Sequence, residues 1–129
     1  MTDPLVTAAR EARERARATF SNFKVGAALE TADGRVFTGC NIENATYGLT
    51  VCAERVAVFK AVSEGERHFQ AIAVVTVNGG TPCGSCRQVL SEFGLDTRVI
   101  VADERGEVLL ETEVAGLLPG AFRPSDLVA

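Results

Sequence analysis

Tryptophan is absent from this 129-residue chain and only 6% of its residues are aromatic, so we expect an aliphatic, alanine-rich core. Basic residues are also in the minority, because 13 Lys and Arg stand against 17 Asp and Glu and give a net charge of −4. Nucleic-acid binding depends mainly on clustered basic side chains. The deficit argues against a nucleic-acid partner, and a small neutral or cationic ligand suits this surface better.

Long apolar runs are missing as well. No stretch approaches the roughly 20 apolar residues that a membrane span requires. The first 20 residues mix four arginines with Asp3, Glu11 and Glu14 and contain no signal-peptide core. We therefore expect a cytoplasmic protein with no membrane partner. Its four cysteines would stay reduced there, where such a set more often binds metal or performs chemistry than cross-links a fold.

Hydrophobic periodicity and turn signals predict one domain that spans residues 1–129, without repeats or linkers. The predicted elements, in chain order, are helix 4–20, strands 25–31 and 36–43, helix 52–62, strand 71–77, helix 83–93, strands 98–102 and 107–111, and helix 113–118. Only four residues join the last two strands, too few for a parallel crossover, so these strands should be antiparallel. The order of elements predicts an α/β fold, a three-layer α/β/α sandwich around a five-stranded mixed sheet.

Three cysteines are the sharpest chemical feature. Cys83 and Cys86 lie three residues apart at the start of a predicted helix, where both sulfurs can reach one point. Cys52 begins another helix about thirty residues upstream. Helix N-termini favour thiolates, and three thiolates suit Zn²⁺ best. Three protein ligands leave one position open for water, so the pattern predicts one catalytic zinc ion per chain.

Cys40 could supply a fourth ligand and make the site closed and structural. Side chains alternate along a strand, so Cys40 and Ile42 would face one way while Asn41 and Glu43 face the other. The polar pair suits a polar cleft better. We therefore favour the open site, with Asn41 and Glu43 as candidate binding residues.

Glu54 and Arg55 follow Cys52 directly. Positions i and i+2 do not share a helix face, so Glu54 should not be a second ligand; its carboxylate can instead carry protons over the open position. The alternative for Glu54 is a first-turn carboxylate that complements the helix dipole. Arg55 could donate hydrogen bonds to the sulfurs and offset the net charge of −1 that three thiolates give zinc, and a plain surface role for it stays open.

These motifs resemble the small cytidine deaminases of pyrimidine nucleoside salvage. The resemblance includes Cys52-Ala53-Glu54-Arg55 and Pro82-Cys83-Gly84-Ser85-Cys86, and it extends over 20–29, 39–47, 82–88 and 117–122 in the family's order. It implies that Cys52, Cys83 and Cys86 hold zinc. It also implies that Glu54 moves protons while water activated at zinc adds to C4 of cytosine and ammonia leaves.

The resemblance implies further contacts as well. Asn41 and Glu43 match residues that hold the ribose, Phe23 matches an aromatic near the nucleoside, and Tyr47 lies in the substrate loop. Phe122 matches an aromatic that reaches a neighbouring subunit of a homotetramer. Core packing is the alternative for Phe23 and Tyr47. Phe20 stands where many members have Tyr, and His68 receives no role.

Four other functions compete with cytidine deamination. A thiol redox protein also carries a Cys-x-x-Cys pair at a helix start, but it needs neither Cys52 nor Glu54. A non-catalytic zinc module would keep the metal without turnover. A polynucleotide editor conflicts with the short turn between the last two strands and with the acidic balance. A blasticidin-type deaminase shares the cysteine motifs and is the closest rival.

Overall fold

The computed structural model describes residues 3–127. Within this range the elements are α1 (Pro4–Arg13), β1 (Gly26–Thr31), β2 (Val36–Cys40), α2 (Ala53–Ser63), β3 (Phe69–Val75), α3 (Gly84–Glu92), β4 (Arg98–Ala102), β5 (Val108–Glu113) and α4 (Val114–Leu117). Short 3₁₀ turns occupy Tyr47–Leu49 and Pro124–Asp126. None of the described helices is long and apolar enough to cross a membrane.

The five strands form one mixed sheet in the order β2-β1-β3-β4-β5. β1 pairs antiparallel with both β2 and β3, whereas β3 and β4 are parallel and are joined through α3. β4 and β5 are antiparallel, as the four-residue connection between them predicts. The mixed sheet and its terminal hairpin are therefore confirmed.

Helices cover both faces of the sheet and create two cores. α1 packs its buried side chains against one face, which is lined mainly by alanines such as Ala28, Ala73 and Ala102. α2, α3 and α4 cover the opposite face, where Leu29, Ile72 and other aliphatic side chains of the strands are buried. The predicted α/β/α sandwich and its alanine-rich core are confirmed.

Two glycines on neighbouring strands let the helices lie close to the sheet. A Cβ atom on Gly26 would collide with the carbonyl oxygen of Ala9 in α1. A Cβ on Gly39 would collide with the carbonyl oxygen of Ala53 and lie 2.7 Å from the backbone nitrogen of Ala57, both in α2. The backbones of α1 and α2 therefore pack directly against the backbones of β1 and β2, on opposite faces of the sheet, and the start of α2 is held against β2.

Two predicted boundaries are wrong by three residues or more, and the other predicted ends lie within two residues of those found. The first helix ends at Arg13 rather than near residue 20, and β2 ends at Cys40 rather than at residue 43. The two displaced segments bond to each other instead, because the Arg17 N–H donates to the Asn41 carbonyl and the Glu43 N–H donates to the Arg17 carbonyl. This pairing satisfies backbone groups that a longer helix or hairpin would have used.

Candidate active site

Three cysteine sulfurs meet where α2 and α3 begin. Cys52 caps the N-terminus of α2, Cys83 caps that of α3, and Cys86 lies in the first turn of α3. The Sγ atoms of Cys52 and Cys83 are 3.8 Å apart, those of Cys83 and Cys86 are 3.3 Å apart, and all three lie within 4.8 Å of one another. Cys40 is not part of this cluster.

This donor set fits a zinc ion. A tetrahedral site with Zn–S bonds of about 2.3 Å places its sulfurs about 3.8 Å apart, close to the separations found here. Cys86 is buried while Cys83 is exposed, so the cluster has a protein side and a solvent side. Thiolates are soft ligands that favour Zn²⁺ over Mg²⁺ or Ca²⁺. The residues present can therefore hold zinc through three protein atoms.

Arg55 lies against the cluster. Its Nη2 donates a hydrogen bond of 3.2 Å to the Sγ of Cys52. The neighbouring Cys86 thiol and the Arg55 guanidinium lower the pKa of Cys52 to about 5, which makes it a thiolate at neutral pH. Hydrogen bonding to Cys52 and burial raise the pKa of Cys86 in return. The interaction with Cys52 also raises the pKa of Arg55, so the guanidinium remains charged.

Glu54 is buried beside the sulfurs. Only 4% of its surface is exposed, although it belongs to the first turn of α2. Burial raises the pKa of its carboxyl to about 7. Such a group exchanges protons readily at neutral pH, which is what general acid–base chemistry requires. If Glu54 served only to complement the dipole of α2, its carboxylate would be exposed to water and its pKa would be near the usual value. Its burial therefore argues against that alternative.

A cavity of about 350 Å³ connects these groups with polar side chains from three loops. The side chains that line it include Ser21, Phe23, Asn41, Glu43, Thr50, Cys52, Glu54, Thr76, Thr81 and Cys83. The volume lies within the range of small-ligand sites. No Lys or Arg side chain is among the described residues that line this cavity.

Asn41 lies just beyond the end of β2 rather than on a strand face, and it still lines the cavity. Its Oδ1 accepts a hydrogen bond from the Val25 N–H over 2.9 Å, and its Nδ2 donates to the Phe23 carbonyl over 2.8 Å. Both bonds fix the segment that carries Phe23. The second amide hydrogen and the second lone pair of Asn41 remain for a ligand.

Glu43 holds the loop on the other side of the cavity. Its carboxylate accepts hydrogen bonds from the Phe20 N–H (2.8 Å), the Ser21 N–H (3.0 Å) and the Ser21 hydroxyl. The bond from the Ser21 hydroxyl is the main reason that the pKa of Glu43 lies below its usual value. Glu43 is therefore an anion near neutral pH, and it lines the same cavity as Cys52 and Cys83.

Two sequence-predicted contacts lie outside this cavity. Tyr47 is 74% exposed and packs edge-on against Phe20, with ring centroids 5.9 Å apart. It lines an adjoining hollow that shares Ser21, Glu43 and Thr50 with the cavity. Phe122 is exposed near the C-terminus, where its carbonyl accepts a hydrogen bond from Gln88. Within one chain, the structure thus brings together Phe23, Asn41 and Glu43 but neither Tyr47 nor Phe122.

Sequence reasoning missed the hydroxyl side chains of the cavity. Ser21, Thr50, Thr76 and Thr81 all line it, yet isolated Ser and Thr residues in loops carry no distinctive spacing. Thr76 had one usable signal, because it follows directly after the buried strand β3. Ligand-binding residues in α/β folds commonly lie just beyond the carboxyl ends of the strands.

Clustered thiols at two helix starts, beside a buried carboxyl that titrates near neutral pH, define a zinc-binding hydrolytic site. The zinc-binding region model of cytidine and deoxycytidylate deaminases matches residues 2–102. The chain belongs to this family of zinc-binding deaminases, and it is a hydrolytic deaminase. Family membership sets aside the thiol redox alternative and the non-catalytic zinc module.

Relatives of known name match most of the chain. A cytidine deaminase from Sporosarcina psychrophila is 49% identical over 97% of this chain and 93% of its own length. One from Halalkalibacterium halodurans is 52% identical over 95% of each. The crystal structure of cytidine deaminase from Burkholderia pseudomallei has a TM-score of 0.87 and 53% identity, and the match covers 92% of this chain and 96% of that one.

Proposed function

We propose that this enzyme converts cytidine and 2′-deoxycytidine, with water, to uridine and 2′-deoxyuridine plus ammonia, and that it serves pyrimidine salvage. The observation that carries the proposal is the placement of Glu54. Its buried carboxyl, with a pKa of about 7, shares one cavity with Cys52 and Cys83, and Cys86 completes the sulfur cluster beside them. The names of relatives that are about half identical over nearly the whole chain support the same substrate class.

Cys52, Cys83 and Cys86 would hold the zinc ion. Bound zinc lowers the pKa of a coordinated water and so supplies a nucleophile at neutral pH. Glu54 would accept a proton as water adds to C4 and would donate it to N3 of the pyrimidine. It would then take the proton of the new C4 hydroxyl and deliver it to the amino group, so that the C4–N bond breaks, ammonia leaves and the C4 carbonyl forms. Arg55, hydrogen-bonded to Cys52, reduces the negative charge of the thiolate set.

The other end of the cavity would bind the sugar. Asn41 and Glu43 offer an amide and a carboxylate to ribose hydroxyls, and Phe23 provides an apolar wall. Glu43 is anionic, and the described lining contains no Lys or Arg side chain. A 5′-phosphate would therefore meet a carboxylate and no counter-charge. We infer that nucleosides, rather than their 5′-monophosphates, are the substrates.

A homotetramer in the cytoplasm, each chain acting as one domain, completes the proposal. Tyr47 and Phe122 are exposed, and neither lines the cavity of its own chain. In an oligomer they can reach a neighbour's site. Sedimentation should then give a tetramer, and Phe122→Ala should raise KM while leaving the zinc content unchanged. A monomer that is fully active would contradict this part of the proposal.

An absorbance assay tests the substrate. Purified protein with zinc should deaminate cytidine and 2′-deoxycytidine, and it should turn over deoxycytidine 5′-monophosphate at least about 100-fold less efficiently, since like charges meet at Glu43. Blasticidin S serves as the comparison for the rival antibiotic deaminase. Preferential turnover of blasticidin S or of the monophosphate would overturn the assignment.

A further inference from the structure

Arg87 makes an unusual set of bonds next to the cysteine cluster. Its side chain turns back from α3, and its Nε donates to the Pro82 carbonyl over 2.7 Å. Nη2 donates to the Thr81 hydroxyl over 2.9 Å, and Nη1 donates to the Leu117 carbonyl over 2.8 Å. The backbone N–H of Arg87 donates to the Cys83 carbonyl over 3.0 Å. One residue thus bonds to three consecutive residues that end at Cys83.

Cys83 needs such support more than the other two cysteines do. Its side chain is exposed, whereas that of Cys52 is half-buried and that of Cys86 is buried. The segment before it leaves β3 through a turn with Gly79 at φ +74°. Within this turn the Thr76 hydroxyl accepts a hydrogen bond of 2.7 Å from the Gly80 N–H. The turn is therefore fixed at its start, and Arg87 fixes its end.

The partner at Leu117 gives this arrangement an external anchor. Leu117 ends α4, which packs on the same face of the sheet as α3. Arg87 therefore joins the loop before Cys83 to a separate element of the core. A guanidinium is a planar fork that can bond in several directions at once, whereas the ammonium of lysine is a point charge on a flexible stem.

We propose that Arg87 is a positioning residue that pre-organises Cys83 for metal binding by tying residues 81 and 82 to α4. The inference rests on the proposed metal site. Loss of the fork leaves the backbone around Cys83 free to sample other conformations, and the metal must then order it on binding. Removing groups that orient metal ligands typically weakens metal binding about 10- to 100-fold.

Competition with a chromogenic chelator measures the zinc Kd independently of activity. Arg87→Ala should raise the Kd about 10- to 100-fold. Arg87→Lys keeps the charge but not the fork, and it should raise the Kd by a smaller factor. Thr81→Val removes one partner of Nη2 and tests the same link with little change in volume. Its effect should be small alone and absent when Arg87 is already alanine.

Arg67→Ala is the matched control. Arg67 also donates to two backbone carbonyls, of Val62 and Glu66 over 2.9 and 2.8 Å, but it lies beyond the far end of α2. Its removal should leave the zinc Kd unchanged. At saturating zinc, Arg87→Lys should reach most of the wild-type kcat, because the reacting groups are intact. A variant that changed only the KM for substrate, with an unchanged zinc Kd, would contradict the positioning role.

The outcomes separate this inference from the proposed function. A wild-type chain that binds no zinc refutes the metal site itself. A wild-type chain that binds zinc, with Arg87→Lys and Thr81→Val both within twofold of its Kd, refutes the positioning role. A lower melting temperature for Arg87→Lys with an unchanged Kd shows that Arg87 serves the fold alone, and this also overturns the inference.

Discussion

Arg55 and Cys52 are joined by a hydrogen bond of 3.2 Å from Nη2 to Sγ, one turn apart at the start of α2. The pair brings a permanent positive charge to a sulfur that is itself ionised at neutral pH. Three thiolates around Zn²⁺ would leave a net charge of −1, and the guanidinium of Arg55 would offset it. We therefore expect the acidity of the metal site to depend on a residue that does not bind the metal.

Replacing Arg55 by glutamine should shift the pH dependence of activity. Loss of the positive charge makes deprotonation at the site harder, so the acidic limb of the kcat/KM profile should move up by about one pH unit. Arg55→Lys retains the charge and should shift the limb less. Rates measured from pH 4 to 9 check this, and an unshifted profile for Arg55→Gln would assign Arg55 a packing role only.

Glu54→Gln should lose at least about 1000-fold in kcat, because the amide cannot exchange protons with the substrate. The zinc content, measured by elemental analysis, should remain that of the wild type. Glu64→Gln, at the other end of α2, is the matched control and should have full activity. Substantial turnover by Glu54→Gln would refute the proposed proton shuttle.

Burial of Glu54 predicts a pH-dependent stability difference in the metal-free protein. Its pKa is about 7 when folded against 4.5 as the ordinary value, so the charged form is disfavoured in the fold. The penalty vanishes below about pH 4.5 and is complete above pH 7, where it reaches about 3 kcal/mol. Glu54→Gln should therefore be the more stable protein at pH 8.5, by up to about 3 kcal/mol, and nearly equal to wild type at pH 4.

Urea denaturation with a chelator and a reductant present measures this difference. The thiols titrate in both proteins, and the interaction of Glu54 with Cys52 and Cys86 is part of the difference that is measured. The exposed Glu64→Gln should show no such pH dependence. Equal stabilities at pH 8.5 would show that Glu54 keeps its ordinary acidity in the fold.

Serine substitutions distinguish the four cysteines. Cys52→Ser, Cys83→Ser or Cys86→Ser should each weaken zinc binding and abolish most activity, because each removes one of three soft ligands. Cys40→Ser should keep both zinc and activity, since Cys40 is outside the cluster. Metal analysis after gel filtration checks this. Loss of zinc from Cys40→Ser would revive the closed four-cysteine site.

Gly39→Ala should destabilise the fold and the site together. The added methyl group would collide with the backbone of α2, and overpacking of this kind typically costs about 1–3 kcal/mol. Displacement of α2 would also move Cys52 and Glu54, so kcat should fall. Gly48→Ala meets no atom within 4 Å and is the control. Urea denaturation and activity assays together check the prediction.

The metal cluster could be predicted from sequence because its information is local. Cys83 and Cys86 share one helical turn, and Cys52 precedes a recognisable helix, so spacing alone predicts three sulfurs at two helix starts. The terminal hairpin was equally accessible, because chain length limits how strands can connect. Both features depend on short segments and general geometry.

The region from residue 14 to residue 23 could not be predicted in this way. Ala16 and Phe20 continue the helical spacing of α1, yet Phe20 is 48% exposed beside Tyr47. Long-range hydrogen bonds override the helical periodicity here, because the Phe20 and Ser21 N–H groups donate to the carboxylate of Glu43. Periodicity does not register a partner that lies more than twenty residues away. Arg87 escaped notice for the same reason, since its anchor Leu117 is thirty residues distant.

The close approach of α2 at Gly39 bears on how the enzyme can move. A shift of α2 toward β2 there would bring main-chain atoms into collision, so the start of the helix that carries Cys52 and Glu54 is held at a fixed distance from the sheet. Any conformational change on ligand binding should then occur in the surrounding loops, whose backbone is held by side-chain hydrogen bonds of Asn41, Glu43 and Arg87. We therefore expect the groups at the start of α2 to keep their positions on ligand binding, while the loops that line the cavity adjust.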